Sequence, residues 1–182
     1  MKPTPELSER LKQFTLFKPI AADQAGLDAV ASILQPTAYP AGETIIHKGD
    51  IGDQAFLLVE GTVEICDYTM DGEPFVRAIL QGSDSVIFGE LALTRNDKRT
   101  ATVIARTACT CWTIRRDDFI RLGDQNPYLG WQLLQQIAKV LAARLEKTNQ
   151  DVLTLFEALI LEIEHKAILP QKKPDQKGYP SS

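Results

Sequence analysis

The sequence predicts a mainly β fold with flanking α elements: an antiparallel jelly-roll β-barrel followed by one long C-terminal helix. Two observations predict it. Between residues 43 and 115, short apolar runs alternate with turn signals, a spacing typical of antiparallel sandwiches and barrels. From Trp131 to Leu169 no Gly or Pro interrupts the chain, which favours a single long helix.

The predicted strands are separated by turns that contain Gly and Asp. They are residues 43–47, 55–60, 62–67, 74–80, 100–105 and 110–114. Asp71-Gly72 lies between two of these runs and is typical of a β-hairpin. Before the strands, residues 6–14 and 23–34 predict two short helices, the second capped by Asp23. We interpret Pro36 and Pro40 as breaks between the helices and the first strand.

The C-terminal third predicts helices that lead out of the barrel. Residues 116–122 predict a short helix, and Asn126 followed by Pro127 is a good start for the long one. We therefore divide the chain into residues 1–125 (the barrel with its N-terminal helices), 126–169 (the long helix) and 170–182. The last segment is rich in Lys, Pro and Gly, which predicts a disordered tail.

Apolar residues in the long helix follow a four-then-three repeat, which is typical of a coiled-coil seam. The seam residues are Leu134, Ala138, Leu141, Leu145, Thr148, Val152, Leu155 and Leu159. The repeat predicts a parallel homodimer through residues 134–159; the alternative is a helix that packs on its own domain. Thr148 is the one polar residue of this seam, and a polar residue there costs stability.

Composition narrows the function classes. The formal net charge of −4 does not give the broad basic surface of a non-specific nucleic-acid binder. The N-terminus has no apolar signal core and no run is apolar enough to span a bilayer, so we expect a cytoplasmic protein without a membrane partner. Cys109 and Cys111 alternate with polar residues, which places both on one face of a predicted strand. We expect them to be buried thiols. His47 and His165 show no ligand spacing, so we expect no metal and consider a cupin-type enzyme remote.

Residues 88–101 combine groups that suit a small phosphorylated sugar. Gly89 lets the backbone turn and approach a ligand closely. Glu90 opens a predicted helical turn, whose first N–H groups can hold an anion, and its carboxylate can accept a bond from a sugar hydroxyl. Arg99 adds a forked cation suited to phosphate oxygens, and Thr100 adds a hydroxyl.

This segment resembles the phosphate-binding cassette of the cyclic nucleotide-binding domain family, and reads Phe-Gly-Glu-Leu-Ala-Leu-Thr-Arg-Asn-Asp-Lys-Arg-Thr-Ala-Thr-Val. The resemblance covers residues 17–149 and includes residues 49–53, 56–61 and 116–119. It implies that Glu90 binds the ribose 2′-hydroxyl and that Arg99 pairs with the cyclic phosphate. The implied cradle is completed by Gly89, Leu91, Ala92, Thr100 and Ala101.

Residues 144–149 are similar to the stretch of the family's catabolite activators that reaches the adenine base. The resemblance implies that Thr148 and Asn149 contact the base from opposite subunits, which gives the polar seam residue a reason. Two departures from the family's pattern stand out. Lys98 replaces the usual Pro before the cassette Arg, and residues 82–87 are longer than the usual turn.

The resemblance implies a sensor that binds cyclic AMP. Because the sequence shows no kinase, channel or hydrolase segment, we expect a non-enzymatic, stand-alone sensor that signals to an unidentified downstream protein. Ligand is expected to draw residues 89–93 inward, with Phe119 and Leu122 shifting behind them. We expect no DNA binding, because residues 170–182 cannot hold a helix-turn-helix domain. Thr100 after the cassette Arg is found in cyclic GMP-selective members, so cyclic GMP stays an alternative. A jelly-roll scaffold with another effector or none is the second alternative.

Overall fold

Two four-stranded antiparallel sheets carry the fold, and helices precede and follow them. The structure, a computed structural model, describes residues 4–95 and 97–168. The helices are α1 (Pro5–Gln13), α2 (Gln24–Ile33), α3 (Leu91–Thr94), α4 (Arg116–Gln125) and α5 (Pro127–Ile168), with 3-10 turns at Thr15–Ile20 and Gly82–Asp84. The strands are β1 (Gln35–Tyr39), β2 (Thr44–Ile46), β3 (Gln54–Glu60), β4 (Thr62–Tyr68), β5 (Pro74–Gln81), β6 (Ile87–Phe88), β7 (Thr102–Ala105) and β8 (Cys109–Arg115).

The strand order is β1-β8-β3-β6 in the first sheet and β2-β7-β4-β5 in the second. Every pair of neighbouring strands is antiparallel. The mainly β prediction with flanking helices is therefore confirmed. The Asp71-Gly72 hairpin is confirmed as well, since it joins β4 to β5 and Gly72 adopts a φ of +83°.

The first sheet is covered on both faces. Phe56, Leu58 and Cys111 belong to the core cluster that also includes residues of the second sheet. The opposite face carries Trp112, whose ring lies 6.0 Å from that of Phe14, just after α1. Burial on both faces explains why residues 55–58 of β3 are all buried apolar residues instead of an alternating pattern. The first sheet includes β6, the strand that leads into the candidate site.

Several sequence-based boundaries differ from the structure, and three of the differences have a clear physical reason. Pro36, interpreted as a break, lies within β1, where it is opposite Trp112. β1 is an edge strand, and an edge position tolerates a residue without an N–H group. β6 has only two residues, too few for a detectable period. The strand expected over residues 100–105 starts at Thr102, because the two preceding residues form a bend.

The cap of α5 is confirmed, because the backbone N–H of Leu129 donates to Asn126 Oδ1 at 3.1 Å. Contacts divide the described chain into two compact units, one ending at Val140 and one beginning at Leu141. In the first unit, α5 buries Leu129, Leu133 and Ile137. In the second, all side chains from 142 to 165 are exposed. The predicted tail, residues 170–182, lies outside the described residues.

Candidate functional site

Gly89 lies at the turn between β6 and α3. β6 is anchored to β3, where the rings of Phe56 and Phe88 stack with centroids 5.1 Å apart. Directly after this anchor, Gly89 adopts a φ of +69°, a left-handed conformation that favours glycine. A Cβ added there would lie 3.0 Å from Arg99 Nη1 and 3.3 Å from the carbonyl oxygen of Gln54. Close approach and backbone conformation thus both require a glycine.

Glu90 caps the short helix α3 and is 3% exposed. The turn closes through bonds from Ala92 N to the Gly89 carbonyl at 3.1 Å and from Leu93 N to the Glu90 carbonyl at 3.0 Å. Ala92 and Leu93 are buried, and α3 packs against β3 and α4. The helical turn predicted from Glu90 onward is therefore confirmed, with Glu90 at the cap position.

Arg99 is held against this turn by two backbone carbonyls. Its Nη1 donates to Gly89 O at 3.3 Å, and its Nη2 donates to Gln54 O at 2.7 Å. The guanidinium also lies over the Phe56 ring, with Cζ 5.9 Å from the ring centroid, which is within the range of a cation–π interaction. The cation predicted from sequence is therefore placed directly beside Gly89.

Burial lowers the pKa of the Arg99 guanidinium, and the negative charge of Asp53 opposes this shift. An arginine stays charged despite such a shift, because its ordinary pKa is far above neutral pH. Asp53 is itself engaged, since its carboxylate pairs with Arg115 at 3.2 Å. The site thus contains a fixed, half-buried positive charge, where Coulomb attraction is stronger than in bulk water.

The loop at residues 49–53 supports the segment that carries Arg99. Arg99 N donates to Asp50 O at 2.7 Å, and Gly49 N donates to Arg99 O at 2.9 Å. Lys98 forms an antiparallel bridge with Ile51, and its side chain is exposed. Backbone pairing therefore holds the turn that contains Lys98.

Gly52 is crowded by the guanidinium. A Cβ added at Gly52 would overlap Arg99 Nε. In the sequence, Gly52 stands only within the matched residues 49–53, and no role was predicted for it. No role was predicted either for Gln54, which acts through its backbone carbonyl, or for Phe56, whose ring lies under the cation. A backbone acceptor leaves no signal in the sequence, because every residue carries one.

The remaining predicted residues fall into two groups. Leu91 lies in the first turn of α3, and Thr100 and Ala101 follow Arg99 directly in the bend before β7, with Thr100 exposed. Thr148 and Asn149 lie in α5, in the unit that begins at Leu141, and both are exposed. Thr148 Oγ1 donates to the backbone carbonyl of Arg144 at 2.9 Å.

Gly89, Glu90 and Arg99 together form an arrangement suited to binding. They combine a close backbone turn, a buried carboxylate and a fixed guanidinium, which together suit an anion with an adjoining hydroxyl. Within residues 4–95 and 97–168, no group of three or more His, Cys, Asp or Glu side chains could hold a metal ion. Over the same ranges, no helix is long and apolar enough to cross a membrane.

Comparison with known proteins agrees with this geometry. A cAMP-dependent protein kinase regulatory subunit of Debaryomyces hansenii is 31% identical over 173 residues, which cover 94% of this chain and 36% of the relative. The chain spans about a third of the length of the curated regulatory subunits it matches.

Two solved structures show the same likeness. The catabolite activator protein of Thermus thermophilus aligns with a TM-score of 0.68 at 26% identity, covering 78% of this chain and 62% of that one. The regulatory domain of Toxoplasma gondii PKA with cAMP aligns with a TM-score of 0.57 at 31% identity, covering 64% and 43%. The family model described as "Cyclic nucleotide-binding domain" matches residues 36–126, which include both Gly89 and Arg99. The chain belongs to the cyclic nucleotide-binding domain family.

Proposed function

We propose that this chain is a regulatory sensor that binds a cyclic nucleotide, with cyclic AMP preferred, at the turn of Gly89–Leu93 and at Arg99. The observation that carries the proposal is the placement of the Arg99 guanidinium against the carbonyl of Gly89. The two carbonyls take two of its five N–H donors, and the cyclic phosphate would bond to the others. Arg99 would therefore join the ligand to the turn.

The start of α3 supports a phosphate at this position. The N–H groups at the start of a helical turn attract negative charge, and those of Ala92 and Leu93 also donate to the carbonyls of Gly89 and Glu90. Gly89 brings that backbone close to Arg99 without a side chain between them. The backbone of Leu91 and Ala92, with Thr100 and Ala101, is proposed to complete the cradle around the phosphate oxygens.

Glu90 is proposed to hold the ribose 2′-hydroxyl. Its carboxylate is an acceptor, and the residue is nearly fully buried, so a hydrogen bond there would form in a region of low dielectric constant. A bond to an ionised group is worth about 1.5–3 kcal/mol. This contact would distinguish a ribose ligand from one that lacks the 2′-hydroxyl.

Thr148 supports the preference for adenine. In the structure its hydroxyl proton goes to the Arg144 carbonyl, which leaves the oxygen as an acceptor. Adenine offers a donor at N6, whereas guanine offers an acceptor at O6. We propose that Thr148 accepts from the adenine amino group and that Asn149 adds a second base contact. If cyclic GMP is the ligand instead, Thr100 is the residue proposed to contact the guanine base.

The proposed signal passes from α3 to α4. Ligand would draw Gly89–Leu93 inward, and Phe119 and Leu122, which are buried residues of α4, would move with it. The family's jelly-roll barrel and a parallel homodimer through residues 134–159 belong to the proposal, as does a downstream protein that reads the change. Ligand and partner would be coupled by about 1–3 kcal/mol, the usual range for linked sites.

Isothermal titration of the whole chain with cyclic AMP, cyclic GMP and 5′-AMP tests the proposal. We expect the tightest binding for cyclic AMP, weaker binding for cyclic GMP and little heat with 5′-AMP. If neither cyclic AMP nor cyclic GMP produces heat, the proposed function is wrong. Thr148→Val removes the acceptor with little change in shape, while Thr148→Ser keeps it. Cyclic AMP affinity should fall about threefold to tenfold in the first variant only.

A further inference from the structure

The distal half of α5 has a wide apolar face. We call this the distal face and define it by Val152, Leu153, Leu155, Phe156, Leu159, Ile160 and Ile163. These seven side chains are 41–70% exposed. Most of the stability of a helix in a protein comes from packing of its apolar face, and a contiguous exposed apolar patch marks an interaction surface. The distal face therefore requires a partner.

The angular width of the distal face exceeds that of a coiled-coil seam. At about 100° per residue, the face extends over roughly 160°, from Leu155 at one edge to Leu153 at the other. Carboxylates border it on both sides, Asp151 and Glu162 next to Leu155, and Glu157 and Glu164 next to Leu153. A narrow two-position seam is typical of a two-stranded coiled coil, whereas a wider stripe is typical of a helix in a bundle.

The proximal part of the same unit has the narrow pattern. There the seam consists of Leu141, Leu145 and Thr148. One heptad before Leu153 and Phe156, the equivalent positions are occupied by Glu146 and Asn149, which are polar. The extra apolar strip is therefore confined to the distal segment.

The extra strip has the spacing of a second seam. Leu153, Phe156, Ile160 and Ile163 follow a three-four-three repeat, one residue out of step with the seam of Val152, Leu155 and Leu159. One residue corresponds to a rotation of about 100°. In a four-helix bundle each helix contacts two neighbours in directions roughly 90° apart. Two seams at this angle match that geometry.

We propose that the distal face joins two dimers into a tetramer through a four-helix bundle. The inference rests on the homodimer put forward under the proposed function. The first seam would pair the helices of a dimer, and the second seam would pair each helix with one from another copy, which gives a closed assembly. Each side chain of the second seam offers about 100 Å². The second seam has four such side chains on each helix, and a dimer presents two helices, so the dimer approaches the roughly 800 Å² per partner of a stable interface.

Sedimentation velocity of the whole chain over a concentration series tests this inference. We expect the wild type to sediment with four times the chain mass of 20.2 kDa. The double variant Leu153→Lys/Ile160→Lys changes only the second seam and should sediment as a dimer. Lysine retains a high helix propensity, so the helix itself should persist.

Leu161→Lys is the matched control, because Leu161 is 65% exposed yet lies on the opposite side of the helix. It should leave the tetramer intact. A wild-type dimer would overturn the inference and leave the proposed homodimer standing, whereas a wild-type monomer would overturn both. A double variant that stays tetrameric would also overturn it. Cyclic AMP titration of each variant separates these results from nucleotide binding.

Discussion

Arg99 donates from Nη1 to the carbonyl of Gly89 at 3.3 Å, so the cation of the site is attached to the turn that opens α3. Its second bond, to Gln54 O at 2.7 Å, attaches it to β3 as well. A cation fixed at both points is already oriented before a ligand arrives. Binding then costs less side-chain ordering than it would with a mobile arginine.

Gly89→Ala should lower both stability and nucleotide affinity. Alanine at a φ of +69° costs about 1–2 kcal/mol, and its Cβ would lie 3.0 Å from Arg99 Nη1. Gly72→Ala is the matched control, because Gly72 has a φ of +83° and nothing within 4 Å of an added Cβ. Urea unfolding should show a loss in both variants. Titration with cyclic AMP should show at least about a tenfold loss for Gly89→Ala alone, and equal affinities would contradict the site.

Gly52→Ala should weaken binding with little effect on stability. Gly52 does not adopt a positive φ, so alanine carries no backbone penalty of that kind. Its Cβ would displace the guanidinium of Arg99 from its position over Phe56. We expect about a tenfold loss of cyclic AMP affinity by titration and a change in unfolding free energy below about 1 kcal/mol. Wild-type affinity in this variant would show that the observed guanidinium position is not the binding one.

Gly130→Ala and Gly123→Ala should have opposite effects, although the two glycines face each other between α4 and α5. An added Cβ at Gly130 would lie 2.7 Å from Gly123 Cα, whereas one at Gly123 would lie 3.6 Å from Gly130 Cα. Urea unfolding should show a loss of about 1–3 kcal/mol for Gly130→Ala. Gly123→Ala should be neutral or stabilising by up to about 1 kcal/mol, since alanine favours helix. A larger loss of unfolding free energy for Gly123→Ala than for Gly130→Ala would contradict this packing of α4 against α5.

Asp67 should make the β4–β5 hairpin sensitive to acid. Hydrogen bonding from Lys48 lowers the pKa of Asp67, with further contributions from the Tyr68 amide and the charges of Lys48 and Arg77. Because the pKa of Asp67 is lowered in the folded state, its ionised carboxylate stabilises the fold at pH values above the unfolded pKa of about 3.9. This stabilisation is lost as pH falls through the folded pKa. Unfolding free energies of wild type and Asp67→Asn should differ by less than about 1 kcal/mol at neutral pH, because the pairs are near the surface. The difference should vanish in acid; a constant difference would contradict this assignment.

Most of the fold could be predicted from local pattern. The hairpin at Asp71-Gly72 and the caps at Asp23 and Asn126 are local signals, and all three are confirmed. β1 was missed because the effect of Pro36 depends on whether a strand lies at an edge, which is a property of the whole sheet. β6 was missed because its two residues are positioned by pairing with β3 and not by a period of their own.

The site could be predicted only in part. Glu90 and Arg99 could be named as candidates because charged side chains at a particular spacing are visible in a sequence. The Gln54 carbonyl and the space at Gly52 were not found, since one is backbone and the other is the absence of a side chain. Both act across the fold on Arg99, and tertiary contacts of this kind have no local sequence period.

Cyclic AMP titration of the wild type beside Arg99→Ala and Arg95→Ala tests the central claim most directly. Arg95 is the matched control, because its side chain is exposed and pairs at the surface with Asp97, at 3.4 Å. Loss of a charge-assisted bond to phosphate should weaken binding about 10- to 100-fold in Arg99→Ala. Arg95→Ala should bind like the wild type. Unchanged affinity in Arg99→Ala would contradict the claim that this guanidinium holds the phosphate.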